Sequence, residues 1–192
     1  MRAPIGPSRP GTSARLAGFA LAVLAGCDGD DPAPADPVPK FIASIHGWTR
    51  VTDPAGDAFA DQRPPGVACD DTGYGLEQLG LSFEVNTGLC DYLTVAQPTM
   101  EALEPGDVVV LRMWHDELRA PTPAQGYLGV ALEGRVVWHT TVAIPSPYDT
   151  LNGEFTVDRE LPEGTELQYH VHNHGINTWN LLDIETAAKD ET

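Results

Sequence analysis

Leu128-Gly129-Val130-Ala131-Leu132-Glu133-Gly134-Arg135-Val136-Val137-Trp138 is the stretch that decides the fold class. Two apolar, β-rich runs flank a Glu-Gly pair that suits a tight reversal, so Leu128–Leu132 and Val136–Ile144 are predicted to form a hairpin. A two-residue loop pairs Leu132 with Arg135 and Leu128 with His139. A three-residue loop, Glu133 to Arg135, pairs Leu132 with Val136 and Val130 with Trp138. The second sets apolar against apolar and is the register the sequence favours.

The same grammar extends in both directions. Leu81, Phe83 and Val85 alternate with Ser82, Glu84 and Asn86, the period of a half-buried strand. Tyr92–Ala96 and Val108–Trp114 read as strands, with Glu104-Pro105-Gly106-Asp107 as the turn before the second. Glu154–Val157, Glu166–Asn173, Trp179–Ile184 and Phe41–His46 follow the same rule. No segment carries a convincing amphipathic helical pattern; Gly75–Leu79 offers a single turn at most. About eight or nine short strands with turn signals between them predict an all-β fold, an antiparallel two-sheet sandwich of jelly-roll-like form.

The chain has 192 residues and a net charge of −17. Such acidity repels nucleic acid and anionic headgroups, so a nucleic-acid partner is excluded. Residues 41–186 suit one domain with one core. Asp28 to Lys40 holds four prolines and four acids in thirteen residues, a semi-stiff tether rather than a core. Residues 187–192 form a polar tail.

Ahead of the tether, Arg2, Arg9 and Arg15 precede an apolar run from Leu16 to Ala25, which ends in Leu24-Ala25-Gly26-Cys27. The run is too short for a permanent membrane span, which needs about 20 residues. Charged start, apolar middle and small residues before a cysteine follow the logic of an export signal. The last four residues resemble the lipobox of bacterial lipoproteins. That resemblance covers residues 1–27 and implies cleavage of residues 1–26, acylation of Cys27, and residence in the cell envelope, periplasm-facing or at the surface, with membrane lipid as a partner. Loss of the three leader arginines would take the net charge from −17 to −20. Cys69 and Cys90 remain, and two thiols in an oxidising compartment most simply pair.

One segment carries candidate chemistry: Tyr169-His170-Val171-His172-Asn173-His174-Gly175. On a strand, Leu167, Tyr169 and Val171 share the apolar face, and His170, His172 and His174 share the other. Imidazoles two residues apart can converge on zinc or copper. All three need a bend, because i and i+4 lie about 13 Å apart in an extended strand. His115, ahead of Asp116 and Glu117, is the candidate fourth ligand, and His139 the next. The alternative is a row of polar side chains facing solvent or ligand. Gly164, five residues, then His170-Val171-His172 resembles the opening of the first cupin motif, although Asn177 stands where that motif wants Glu. Tyr169-His170-Val171-His172 with Gly175 and Asn177-Thr178 also resembles the copper-ligand stretch of copper-zinc superoxide dismutases, and His-x-His-x-His resembles multicopper oxidases. The other motifs of all three families are missing, so no activity carries over.

Recognition without chemistry is the competing reading. Trp48, Trp114 and Trp179, with Asn173, Asn177 and Asn180, suit stacking and hydrogen bonding to a sugar, as in carbohydrate-binding modules, whereas Trp138 aligns with Val136 and Val142 as core. Asp53, Asp57, Asp61, Asp70 and Asp71 sit in the irregular Asp53–Asp71 stretch, where they either bind calcium or remain solvated. No nucleophile elbow, Walker sequence or singular carboxylate pair is present. The sequence is therefore read as an envelope lipoprotein with a β-sandwich binding domain and a candidate His-lined metal site, its partner a glycan or an envelope protein. A small zinc or copper enzyme using the same histidines is the alternative, as is a carbohydrate-binding module.

Overall fold

The computed structural model describes residues 38–173 and 175–187. The leader, Cys27, the tether up to residue 37, His174 and the last five residues lie outside the described residues.

Among the described residues, ten strands make two antiparallel sheets. They are β1 (Thr49–Arg50), β2 (Tyr74–Leu76), β3 (Phe83–Asn86), β4 (Tyr92–Pro98), β5 (Val108–His115), β6 (Ala124–Leu132), β7 (Arg135–Ile144), β8 (Asp149–Thr156), β9 (Glu166–His172) and β10 (Thr178–Thr186). One sheet runs β1-β4-β9-β6-β7, the other β2-β3-β10-β5-β8. The fold is the predicted all-β sandwich, with one strand more than the sequence announced. No helix among the described residues is long and apolar enough to cross a membrane.

Alternation explains how the sheets meet. Val109, Leu111 and Met113 of β5 are buried, whereas Val108, Val110, Arg112 and Trp114 are partly exposed. On β9, Leu167, Tyr169 and Val171 enter the core with Leu93 and Val95 of β4 and Leu128, Val130 and Leu132 of β6. From β10, Trp179, Leu181 and Ile184 close the layer from the other sheet. The indole of Trp138 lies partly buried against this core, and a Cβ at Gly153 of β8 would sit 2.6 Å from it, so glycine there lets the ring seat.

The central hairpin corrects the expected loop. Leu132 pairs with Arg135, so the turn is the two residues Glu133-Gly134, both at positive φ (48° and 71°). That backbone matches the right-handed twist of the strands it joins. A register shift between Val130 and Ala131 then restores the apolar pair Val130–Trp138, while Leu128 meets Thr140. The expected apolar match was right at Val130; a bulge produces it rather than a longer loop.

Phe41–His46 is not a strand. Phe41 makes one isolated bridge to Glu185, and Ile42 and Ala43 are both buried, which strict alternation forbids. The Gln97 amide holds Ser44 through both backbone groups and bends the chain there. Thr49–Arg50 supplies the edge instead. Leu81 is exposed, because the Glu77 carboxylate caps the turn at Leu79 and Leu81 and delays β3 to Phe83. The Gly75–Leu79 turn begins as the short strand β2. The irregular stretch is a long loop, as expected, with 3-10 turns at Pro54–Gly56, Ala60–Gln62 and Asp71–Gly73; Cys69 pins its far end by a disulfide to Cys90.

Candidate functional site

Two outer sheet faces carry the polar and aromatic side chains singled out by the sequence, and they are built differently. On the β1-β4-β9-β6-β7 sheet, the outer face takes Tyr92 and Thr94 from β4, Gln168, His170 and His172 from β9, and Tyr127 and Gly129 from β6, all in mutual register. The 51–63 loop lies over part of it. Gln168 receives the Ala58 N–H and donates to the Gly56 carbonyl, while the Phe59 ring stacks on His170 at 4.5 Å and 13°. Gly129 makes room for that ring, since a Cβ there would stand 2.4 Å from it.

Under the loop runs an ordered chain of hydrogen bonds. Asp57 accepts from the Phe59 N–H, from Tyr92 Oη at 2.7 Å and from Thr94 Oγ1 at 2.9 Å. Having donated its proton to Asp57, the Thr94 hydroxyl can only accept from His170, 2.8 Å away, which places a proton on His170 Nδ1. His170 Nε2 is then a bare lone pair, and it meets His172 Nδ1 at 2.8 Å. Burial, reinforced by the neighbouring His172, holds His170 well below the ordinary imidazole range, so it is neutral. His172 is partly exposed and stacks between Tyr127 (5.1 Å, 12°) and Tyr92 (5.9 Å, 21°); His139 stacks on Tyr127, and Arg63 lies 5.1 Å over Tyr92. Burial raises the Tyr92 phenol, and the Asp57 carboxylate raises it further.

Of the four histidines expected as ligands, His170 and His172 stand together, His115 stands apart from them, and His174 lies outside the described residues. His115 belongs to β5 of the other sheet, fully buried and edge-on to Trp179, with Nδ1 on the Asp116 carbonyl. Alternation turned it into the sandwich, away from the outer face that holds His170 and His172. Among the described residues no three His, Cys, Asp or Glu side chains converge as a metal would require. Of the loop aspartates, Asp53 caps Ala55, Asp70 caps Thr72, Asp71 accepts from the Tyr74 hydroxyl, and Asp57 is consumed by the buried network.

The outer face of the β2-β3-β10-β5-β8 sheet is open. One row across it is Glu84, Asn180, Trp114 and Thr150, and the next is Asp183, Arg112 and Asn152. Trp114 is half-buried and lies 6.1 Å from Tyr148, at 40°; Tyr148 is 60% exposed, so its ring face is accessible. A cleft of about 470 Å³ beside the pair is lined by Glu117, Leu118, Pro145, Ser146, Pro147 and Tyr148. Asn180 is fully buried in this row; its Oδ1 accepts from Ser82 while its Nδ2 finds no acceptor. Burial raises the Glu84 carboxyl, and Glu77 and Asp116 raise it further. Arg112 is held by Asp183 and Glu185.

Trp114 therefore lies on the outer face of its sheet. Trp179 does not: it is 1% exposed, its Nε1 bonded to Asn173 Oδ1, because position 179 points inward from β10. Asn173 and Asn177 are buried as well: Asn173 Oδ1 accepts from Thr87, Asn177 and Trp179 while its Nδ2 finds no acceptor, and Asn177 bonds the Arg119 backbone. Tyr148 was missed by the sequence reading. It follows Pro147 in a loop and has no periodic signal.

No family model matches the chain, and no curated protein does. Solved structures with a similar arrangement of strands include one described as CBM4 (14% identity, 79% of this chain and 95% of that one, TM-score 0.44). A mannan-recognising carbohydrate-binding module, TmCBM27, aligns over 80% of this chain and 96% of its own (9% identity, TM-score 0.45). The N-terminal cellulose-binding domain of Cellulomonas fimi β-1,4-glucanase C aligns over 80% and 96% respectively (18% identity, TM-score 0.44).

Proposed function

We propose that this chain is a lipid-anchored, non-catalytic glycan-binding module of the cell envelope, which takes a sugar chain on the outer face of the β2-β3-β10-β5-β8 sheet. The observation that carries the reading is the Trp114–Tyr148 pair, with an accessible ring face, set beside polar groups able to read hydroxyls. Aromatic rings offer large, rigid contact area at low entropic cost. Glu84, Asn152 and Thr150 supply acceptors and donors in the rows beside Trp114. Arg112 is already engaged by two carboxylates, so the face carries no spare cation, and an uncharged glycan suits it better than an acidic one. Two of the solved structures this chain resembles are named for binding mannan and cellulose, which accords with the reading without carrying it.

Anchoring rests on Leu24-Ala25-Gly26-Cys27 alone. Two or three acyl chains on Cys27 would hold the module firmly, where one would not. The tether would then let the sandwich reach glycan away from the lipid surface.

Affinity electrophoresis against soluble neutral polysaccharides tests the binding. Trp114→Ala and Tyr148→Ala are each expected to abolish retardation while the melting temperature stays within about 2 °C, as for a surface change. His139→Ala, on the opposite sheet, is expected to bind normally. Retardation that survives both aromatic changes, or none in the parent chain with any neutral glycan, rejects the assignment. Radiolabelled fatty acid incorporation that Cys27→Ser abolishes is the expected result for the anchor.

A further inference from the structure

We propose that the 51–63 loop is an acid-released cover, held shut over the β1-β4-β9-β6-β7 sheet by a buried histidine both of whose ring nitrogens are already engaged. The device lies on the sheet opposite the proposed glycan face and is independent of that reading. The cover rests on few groups. Phe59 stacks on His170, Ala58 and Gly56 bond Gln168, and the Asp57 carboxylate takes the hydroxyls of Tyr92 and Thr94. Both ends are pinned from outside the cover: the Val51 N–H bonds the Thr94 carbonyl, and the Cys69–Cys90 disulfide lies beyond Arg63. Strand β9 pairs with β4 and β6, so none of its ladder bonds runs through the loop. The cover can lift while the sandwich stays whole.

Geometry sets the sign of the pH effect. His170 donates from Nδ1 to Thr94, and its Nε2 accepts from His172 Nδ1 at 2.8 Å. A first proton from solvent settles on His172, which is partly exposed and keeps its Nδ1–H aimed at His170. A second must enter on His170 Nε2, where it opposes that donor, adjoins a second positive charge and lies beneath the Phe59 ring. The loop also brings Asp57, one hydroxyl away through Thr94, and Arg63, across Tyr92. From β4 comes Tyr92, edge-on at 4.5 Å, and from β6 Tyr127, at 5.8 Å, with His139 of β7 behind it. On β9 itself, Glu166 is bonded to Gln168. No carboxylate bonds the His170 ring directly. Burial, reinforced by His172, accordingly holds His170 well below the ordinary imidazole range. With the loop lifted, the ring meets solvent and titrates at about 6.5, so below that pH the open form carries one proton more than the closed form. Closure is at full strength above about pH 6.5 and weakens about tenfold for each pH unit below it.

Hydrogen exchange on the full-length chain tests this, resolved to single amides by NMR and corrected for the intrinsic pH dependence of exchange. Protection of the Ala58 and Phe59 amides, which bond Gln168 and Asp57, is expected to fall about thirtyfold between pH 6.5 and pH 5. Both amides should open more readily than those of β9 at every pH, the mark of a local event rather than a global one. His170→Gln, uncharged at every pH, should abolish the fall. His172→Gln offers an amide oxygen to a proton on His170 Nε2 and should shrink it. Circular dichroism reports whether each variant is folded. Flat protection in the parent chain, loop amides that open only together with β9, or the full parental fall in folded His170→Gln overturns the proposal. Should His170→Gln not fold, the full parental fall in His172→Gln overturns it instead.

Discussion

Phe59 and Gly129 form a seat and its occupant, and a double-mutant cycle tests whether that is so. Phe59 is 1% exposed, packed on His170 and against the α-carbon of Gly129. Phe59→Ala removes a fully buried ring, a change that costs about 3–5 kcal/mol in transfer and cavity terms. For a domain of this size that lowers the melting temperature by about 10 °C or more. Gly129→Ala fails for the opposite reason. Its methyl would lie 2.4 Å and 2.9 Å from two Phe59 ring carbons, an overpacking that costs about 1–3 kcal/mol. In the double variant the ring is gone and the methyl fills part of the hole. Gly129→Ala should then cost nothing or stabilise slightly, giving a coupling of about 1–3 kcal/mol. Urea denaturation of the four proteins, with a common slope, measures it. Additive effects within about 0.5 kcal/mol would mean the loop does not rest on Gly129, and the account of the covered face would be wrong.

Other consequences are open to simpler assays. Replacing both Cys69 and Cys90 by Ala should cost about 3 kcal/mol, since the bond closes a span of 21 residues; a melting temperature unchanged by the substitution would refute this. Glu84 holds its proton more tightly folded than unfolded, so it weakens the fold as pH rises from about 4.3 through its higher native value. Glu84→Gln should accordingly raise the melting temperature at pH 7 and leave it unchanged at pH 3; equal shifts at both pH values would assign the effect to packing. Gly153→Ala drives a methyl to 2.6 Å from the Trp138 ring and should destabilise by about 1–3 kcal/mol, read as a lowered urea midpoint and a red-shifted tryptophan emission.

The strands could be read because burial imposes a period of two wherever one face meets the core. Burial follows that period in Val108–Trp114, and in Glu166–His172 the polar and apolar residues alternate although a loop buries the second face too; the period is absent from Phe41–His46, where adjacent Ile42 and Ala43 both turn inward and a side-chain amide replaces the ladder. The hairpin register was half legible. Apolar matching located Val130 opposite Trp138, but a bulge is a backbone event that composition does not announce. Site residues followed the same divide. Parity along β9 put His170 and His172 on one face, as expected, but whether β5 sends an odd or an even residue inward depends on register. The sequence therefore misplaced His115, and it offered Trp179 as surface when β10 turns it in. Tyr148 and Phe59 sit in loops, where partners are chosen by three-dimensional approach and no periodicity betrays them.

Strand β9 lies in the middle of its sheet, paired to β4 and β6, with Leu167, Tyr169 and Val171 sealed in the core and Gln168 and His170 sealed beneath the 51–63 loop. Peeling back the loop uncovers only one of those faces and breaks none of the ladder bonds. Its amide protons should exchange with solvent only when the whole molecule opens, at the free energy of global unfolding. The strand that carries the two adjacent imidazoles is then the slowest-exchanging unit of the sandwich, and anything that grips it would be felt as protection across both sheets.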